Sequence, residues 1–128
     1  MATIRDFEPG AAAVVVVGYP RLFPSSQQDV AAASCVWLTD PKRVALNRLD
    51  ANLNKVISEA AAKEHLPYVN VTDTLKGHEA CTADSWIYPV PAVDPCKNRT
   101  QQDGHPTAPG QAAIARKVES YLMGRFYT

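Results

Sequence analysis

The residues best suited to chemistry stand together near the end of the sequence, in the run Asp103-Gly104-His105-Pro106-Thr107-Ala108-Pro109-Gly110-Gln111. An imidazole titrates near neutrality, so a histidine fixed in a loop at the mouth of a helix can take a proton and return it. The helix expected behind His105 spans Ala112 to Phe126, and Thr107, Pro109 and Gly110 mark its start. A base of this kind normally serves a nucleophile. None of the 128 residues sits in a recognisable nucleophile motif.

Composition narrows the setting for this chemistry. The length allows a single domain with a moderate core. Apolar residues make up 46%, which marks a globular chain, not a disordered one. Thirteen basic and thirteen acidic side chains give a formal net charge of zero. With no basic stripe, nucleic acid is not an expected partner. No apolar run approaches the ~20 residues needed to span a bilayer. The opening stretch Met1 to Pro9 has no long apolar segment of the signal-peptide type.

Three cysteines, Cys35, Cys81 and Cys96, are too few and too scattered for a zinc site, and no metal is expected. Cys81 and Cys96 flank one long loop and are the expected disulfide pair. Buried free thiols are the alternative.

The elements that must hold His105 can be read from periodicity. Ala11 to Val17, ended by Gly18-Tyr19-Pro20, is a β-branched run of the kind found in strands buried on both faces of a parallel sheet. Ile4 to Phe7 reads as the tail of a helix, with Pro9-Gly10 as its turn. Arg21 to Thr39 is a polar loop. Asp40 offers an N-cap with Pro41 at the first helical position. Leu46, Leu49, Leu53, Val56, Ile57 and Ala60 then fall on one face of a helix from Pro41 to His65. The lysines and arginines of that helix read as its solvated face.

Pro67 to Val71 is a second short strand, so strand, helix and strand form a parallel βαβ unit. From Thr72 to Pro109 the chain is mostly loop. In the closing helix Ile114, Val118, Tyr121, Leu122 and Phe126 share one side. Two short strands make a poor sheet, and an unpaired apolar edge invites association. The chain therefore reads as the later part of a larger α/β unit, and a dimer or higher species is expected.

These pieces, in this order, resemble secreted actinobacterial esterases and lipases of the GDSL type, the SGNH hydrolases. The resemblance runs through Val14 to Pro24, through Leu46-Asn47 and Leu53-Asn54 in the helix, and through Tyr68-Val69-Asn70-Val71. It continues in Gly77-His78-Glu79-Ala80-Cys81 with Trp86, and in Asp103-Gly104-His105-Pro106 with Gly110-Gln111. It implies a partial three-layer α/β/α fold of flavodoxin type, residues 1–128 forming one partial domain. It also implies an ester or lipid substrate, an exported protein, and no cofactor.

The family's nucleophile is a serine in a Gly-Asp-Ser block upstream of this strand. Ten residues precede Ala11, and the block is not among them. None of Ser25, Ser26, Ser34, Ser58, Ser85 and Ser120 stands in such a context or in a strand-to-helix elbow. A complementary chain carrying the serine is therefore an implied partner. The family usually places an Asp three residues before the His. Here that position is Gln102, so the ring's orienting partner is either Gln102 through its carbonyl or Asp103 from another loop geometry.

Tyr19 and Trp86 are candidates for lining an acyl pocket, with packing beneath loops as the alternative. His78 is expected to make a structural hydrogen bond within its loop. The reading is the base-supplying part of a serine ester hydrolase. The alternative is a non-catalytic assembly module that associates through its sheet edge.

Overall fold

The computed structural model describes residues 13–25, 35, 38–89 and 103–126. The expected Ile4–Phe7 helix tail, Gln102 and Cys96 lie outside these residues. The element order is β1 (Val16–Val17), α1 (Asp40–Lys63), β2 (Tyr68–Val69) and α2 (Ala108–Phe126). β1 and β2 pair in parallel, with Val16 opposite Tyr68 and Val17 opposite Val69. The α/β class and the βαβ unit are thus present as a partial fold. No helix among the described residues is long and apolar enough to cross a membrane.

The parallel register continues past the formal strands. Val16 N donates to Pro67 O at 2.9 Å, Gly18 N to Val69 O at 3.1 Å and Arg21 N to Thr72 O at 2.9 Å. The chain between Gly18 and Phe23 cannot continue as regular strand, because Pro20 has no amide proton for the ladder. It is held instead by side chains of α1. The Asn54 amide accepts from Tyr19 N at 2.7 Å and donates to Tyr19 O at 2.8 Å. Two helical turns earlier, Asn47 accepts from Phe23 N at 3.3 Å and donates to Phe23 O at 3.0 Å. Seven helical residues advance about 10.5 Å, close to the roughly 13 Å of a four-residue extended step. The helix and the extended segment therefore meet in register at two points.

Each clasp satisfies one backbone donor and one acceptor that packing would otherwise strand. Asn54→Ala is expected to cost about 2 kcal/mol in denaturant unfolding, because it leaves both Tyr19 backbone groups without their partner. A loss below ~0.5 kcal/mol would show that water replaces the amide fully.

Several expectations need correction. Of the run expected as a doubly buried strand from Ala11 to Val17, Ala11 and Ala12 lie outside the described residues, residues 13–15 are not strand, and the strand is Val16–Val17, with Val17 37% exposed. The helix cap is Thr39, not Asp40, and it makes no side-chain cap bond. Asp40 is instead drawn into the first turn, where it pairs with Arg43. Arg43 is buried, not solvated, and also donates to Leu38 O. The closing helix begins at Ala108, four residues before the expected Ala112. Pro109 lacks only an amide proton that a first turn leaves unbonded anyway, so it fits inside the helix.

The largest departure is the face of α1. Its inward residues are Arg43, Asn47, Asn54 and Ala61, while Leu46, Leu49, Leu53 and Val56 are 38–64% exposed. The helix is amphipathic, but its leucine stripe lies about 110° round from the face that meets the described fold, and of the expected apolar residues only Ile57, at its margin, is part-buried. Among the described residues the buried apolar side chains are Leu38, Ala61, Val69, Val71, Leu75, Cys81 and Ile87, so α1 gives this core only Ala61.

Asp50 lies between the two asparagines in sequence and is only partly exposed. Burial pushes its carboxyl above the ordinary 3.8, with the Arg21 guanidinium pulling the other way. Burial also raises the Tyr68 phenol, and the Asp50 charge adds to that shift. The folded chain thus holds the Asp50 proton more tightly than the unfolded chain does. Its contribution favours folding below the unfolded value and is lost as pH rises through the raised one. Asp50→Asn is expected to raise the melting temperature at pH 7, and the gain should vanish below about pH 3.8. A gain that persists unchanged in acid would contradict this account.

Candidate functional site

His105 stands between two anchored stretches of backbone. On one side the chain turns at Gly104, whose φ of 76° suits glycine and costs a side-chain-bearing residue strain. On the other side begins α2, where Gln111 N donates to Thr107 O at 2.8 Å and Gln111 Nε2 to Pro106 O at 3.1 Å.

The loop between them is laced to residues 86–88. Gly104 N donates to Tyr88 O at 3.0 Å, Tyr88 N to His105 O at 2.9 Å, and Thr107 N to Trp86 O at 2.8 Å. Ile87 and Pro106 form an antiparallel bridge within this ladder. The Thr107 hydroxyl donates to the same Trp86 carbonyl at 3.1 Å. Gly110, inside the first turn of α2, lets that turn close on the strand-like stretch. A Cβ there would lie 2.5 Å from Trp86 O. The backbone of His105 is thus fixed while its side chain remains exposed.

The partner stretch is braced in turn. The His78 ring stacks on Trp86 with centroids 3.6 Å apart and 2° between planes. Trp86 N donates to His78 O at 2.8 Å. His78 Nδ1 lies 2.9 Å from Asp84 O and 3.2 Å from its carboxylate. The ring of His78 thus bonds Asp84, outside the Gly77–Cys81 loop in which its partner was expected. Trp86 thus carries the His78 ring on its side chain and holds Thr107 through its carbonyl.

A cavity of about 320 Å³ lies beside this ladder, walled by Phe23, Cys35, Cys81, Ile87, Tyr88 and Thr107 among others. Neither Tyr19 nor Trp86 belongs to its wall. Tyr19 belongs to another part of the scaffold: its backbone is the one clasped by Asn54, and its side chain is 56% exposed. Asp103 is half-buried two residues before His105.

The disulfide joins Cys35 to Cys81, with Cα atoms 5.4 Å apart, and not Cys81 to Cys96. The reason is tertiary. Ala80 N donates to Leu22 O at 2.7 Å, which draws the loop after β2 against the segment after β1. That brings Cys81 beside Cys35, at a separation a disulfide can span. Nearness in sequence favoured Cys96 but carried no information about this crossing.

Two of the described serine hydroxyls are tied to nearby backbone. Ser85 Oγ donates to Ile87 O and accepts from Ile87 N, and Ser58 Oγ donates to Lys55 O. Among the described residues no serine hydrogen-bonds His105. The arrangement presents an exposed imidazole on a backbone held by hydrogen bonds. The two asparagine clasps were missed in the sequence, although the repeated Leu-Asn pair seven residues apart carried their signal.

No family model matches the chain. Lipase 1 of Streptomyces coelicolor is 32% identical over 111 residues, covering 87% of this chain and 37% of the relative. A lipase of Streptomyces rimosus is 33% identical over 107 residues, covering 84% of this chain and 36% of the relative. Two solved structures superimpose with a TM-score of 0.67, each over 84% of this chain and 42% of the other. They are an extracellular lipase of Streptomyces rimosus, 28% identical, and a phospholipase A1 of Streptomyces albidoflavus, 33% identical. The chain spans somewhat more than a third of the length of the curated relatives it matches.

Proposed function

We propose that this chain, a homologue of the Streptomyces lipases, is the base-supplying part of a serine ester hydrolase of the SGNH type. The observation that carries the reading is the mount of His105: a backbone laced to residues 86–88 beneath an exposed imidazole. A general base has to be held within reach of its partner without being sealed from it.

The chemistry divides between two parts. A serine on the complementary part attacks the carbonyl carbon of an ester, and His105 takes the hydroxyl proton as the bond forms. The tetrahedral oxyanion is held by donors of that same part. When the intermediate collapses, the C–O bond to the alcohol breaks and His105 passes its proton to the leaving oxygen. Water then attacks the acyl-serine, giving its proton to His105, which returns it to the serine. Asp103, or the carbonyl of Gln102, orients the ring so that the other nitrogen faces the serine. Tyr19 and Trp86 then serve the scaffold more than the acyl chain, since one is clasped at its backbone and the other is stacked. The substrate is an ester or lipid, and the protein is an exported one.

The test is reconstitution. This chain, mixed with a serine-bearing complement, is expected to hydrolyse a short-chain nitrophenyl ester that neither part hydrolyses alone. A complex that forms without gaining hydrolysis would sink the reading.

A second reading, a non-catalytic assembly module, draws on the outer edge of β1, which has no strand partner among the described residues. It predicts the same association without ester hydrolysis.

A further inference from the structure

His78 sits in a loop that is fastened on both sides. Its own amide donates to Leu75 O at 2.8 Å, and Leu75 is wholly buried. Just beyond it, Ala80 N donates to Leu22 O and Cys81 is bridged to Cys35. The buried Glu79 carboxylate accepts from Gly77 N at 2.8 Å, closing the turn where Gly77 takes a φ of 86°. The ring itself is oriented. Its Nδ1 faces two acceptors, the carbonyl and the carboxylate of Asp84, so Nδ1 carries the proton it donates to them.

The His105 loop is held from one direction, by residues 86–88. Trp86 is the link between the two loops. Its amide donates to His78 O, and its carbonyl accepts both the amide and the hydroxyl of Thr107. Gly110 closes on the same residue, since a Cβ there would lie 2.5 Å from Trp86 O and 3.3 Å from Trp86 Cβ. A small shift of Trp86 is therefore passed to both the start of α2 and the His105 loop. What fixes the Trp86 side chain is the near-parallel His78 ring, 3.6 Å away. An aromatic pair of this kind holds its geometry beyond what burial of area alone would do.

We infer that His78 is a positioning residue for His105, acting through the stack on Trp86 and not through any contact with substrate. The inference rests on the reading of His105 as the base and adds the group that keeps its loop in place. The path runs from buried Leu75 to His78, to Trp86, to Thr107, two residues from the imidazole. The Asp84 bond sets the ring's plane, and the ring's face bears on Trp86.

Two substitutions separate these parts. His78→Phe keeps a flat ring but loses the bond to Asp84. His78→Asn keeps a side-chain donor toward Asp84 but loses the ring. Hydrogen exchange of the full chain reads the ladder directly, because the amides of Tyr88, Gly104 and Thr107 are its donors. His78→Asn is expected to lower their protection about tenfold, while the amides of Gly18 and Arg21, bonded to Val69 O and Thr72 O, keep theirs. The backbone order parameter at His105 should fall from about 0.85 toward 0.6. His78→Phe should stay within about twofold of the wild type in protection. In the reconstituted hydrolase, His78→Asn should lower kcat about tenfold with KM unchanged, and His78→Phe should restore most of it.

Undiminished protection in His78→Asn overturns the inference, whatever the hydrolysis. So does the reverse ranking, with Phe losing the ladder and Asn keeping it, since the Asp84 bond would then be the brace. An equal loss at Gly18 and Arg21 makes His78 a general folding residue and overturns it too. A selective loss at the three ladder amides, in a protein whose hydrolysis is indifferent to His105→Ala, upholds the brace and overturns the role given to His105.

Discussion

Replacing His105 by alanine in the assembled enzyme is expected to lower kcat/KM for a nitrophenyl ester by about 10⁴-fold. At 1.36 kcal/mol per factor of ten this is about 5.5 kcal/mol of transition-state stabilisation. The loss should fall on kcat, because the imidazole moves a proton in the transition state and contributes little to holding the ester. Assembly should be unchanged, since the loop is held by backbone bonds from Gly104, His105 and Thr107 and not by the ring. A loss of less than tenfold would mean that another group takes the serine proton. A collapse of the complex would mean that His105 is a packing residue.

Removing the Cys35–Cys81 disulfide is expected to be the largest blow to stability. The bridge joins positions 46 residues apart, and closing a loop of that size stabilises by about 4 kcal/mol in the chain-entropy account. For a chain of this size that corresponds to a fall in melting temperature of about 15 °C. Cys81 adds to the effect. It sits at φ 74°, a left-handed conformation unfavourable to a residue with a side chain, and the bridge helps to hold it there. Cys35→Ser with Cys81→Ser, or reduction of the wild type, should show the fall. Unfolding that is indifferent to reductant would contradict both the pairing and its contribution. Because Cys35, Cys81 and Thr107 line the same cavity, reduction should also loosen the His105 loop.

How much of this was legible in the sequence depended on whether the cause was local. The 24 residues of α1 announced themselves through apolar spacing and the Thr39-Asp40-Pro41 start, with bounds within two residues of those expected. The parallel βαβ unit followed from the Val and Tyr-Val runs on either side of it. His105 was legible as a loop residue before a helix because Gly104, Pro106 and Thr107 punctuate the chain there.

What was not legible came from contacts between distant segments. Leu46-Asn47 and Leu53-Asn54 repeat one dipeptide, and periodicity alone says only that leucines share a face. It does not say that the asparagines would take the inner position, because that depends on unsatisfied backbone groups at Tyr19 and Phe23. The earlier start of α2 was hidden for a similar reason. Gly110 reads as a helix boundary until Trp86 O is seen packed where its Cβ would be. The disulfide depended on the Ala80–Leu22 crossing.

The central proposal is that His105 is the base that activates a serine nucleophile. A fluorophosphonate bonds covalently to a serine only where a base activates it, so mass spectrometry of the reconstituted complex after such labelling tests that claim most directly. The expected result is one adduct on a serine of the complementary polypeptide, none on this chain, and loss of the adduct with His105→Ala. An adduct that forms at an undiminished rate without His105 would contradict it.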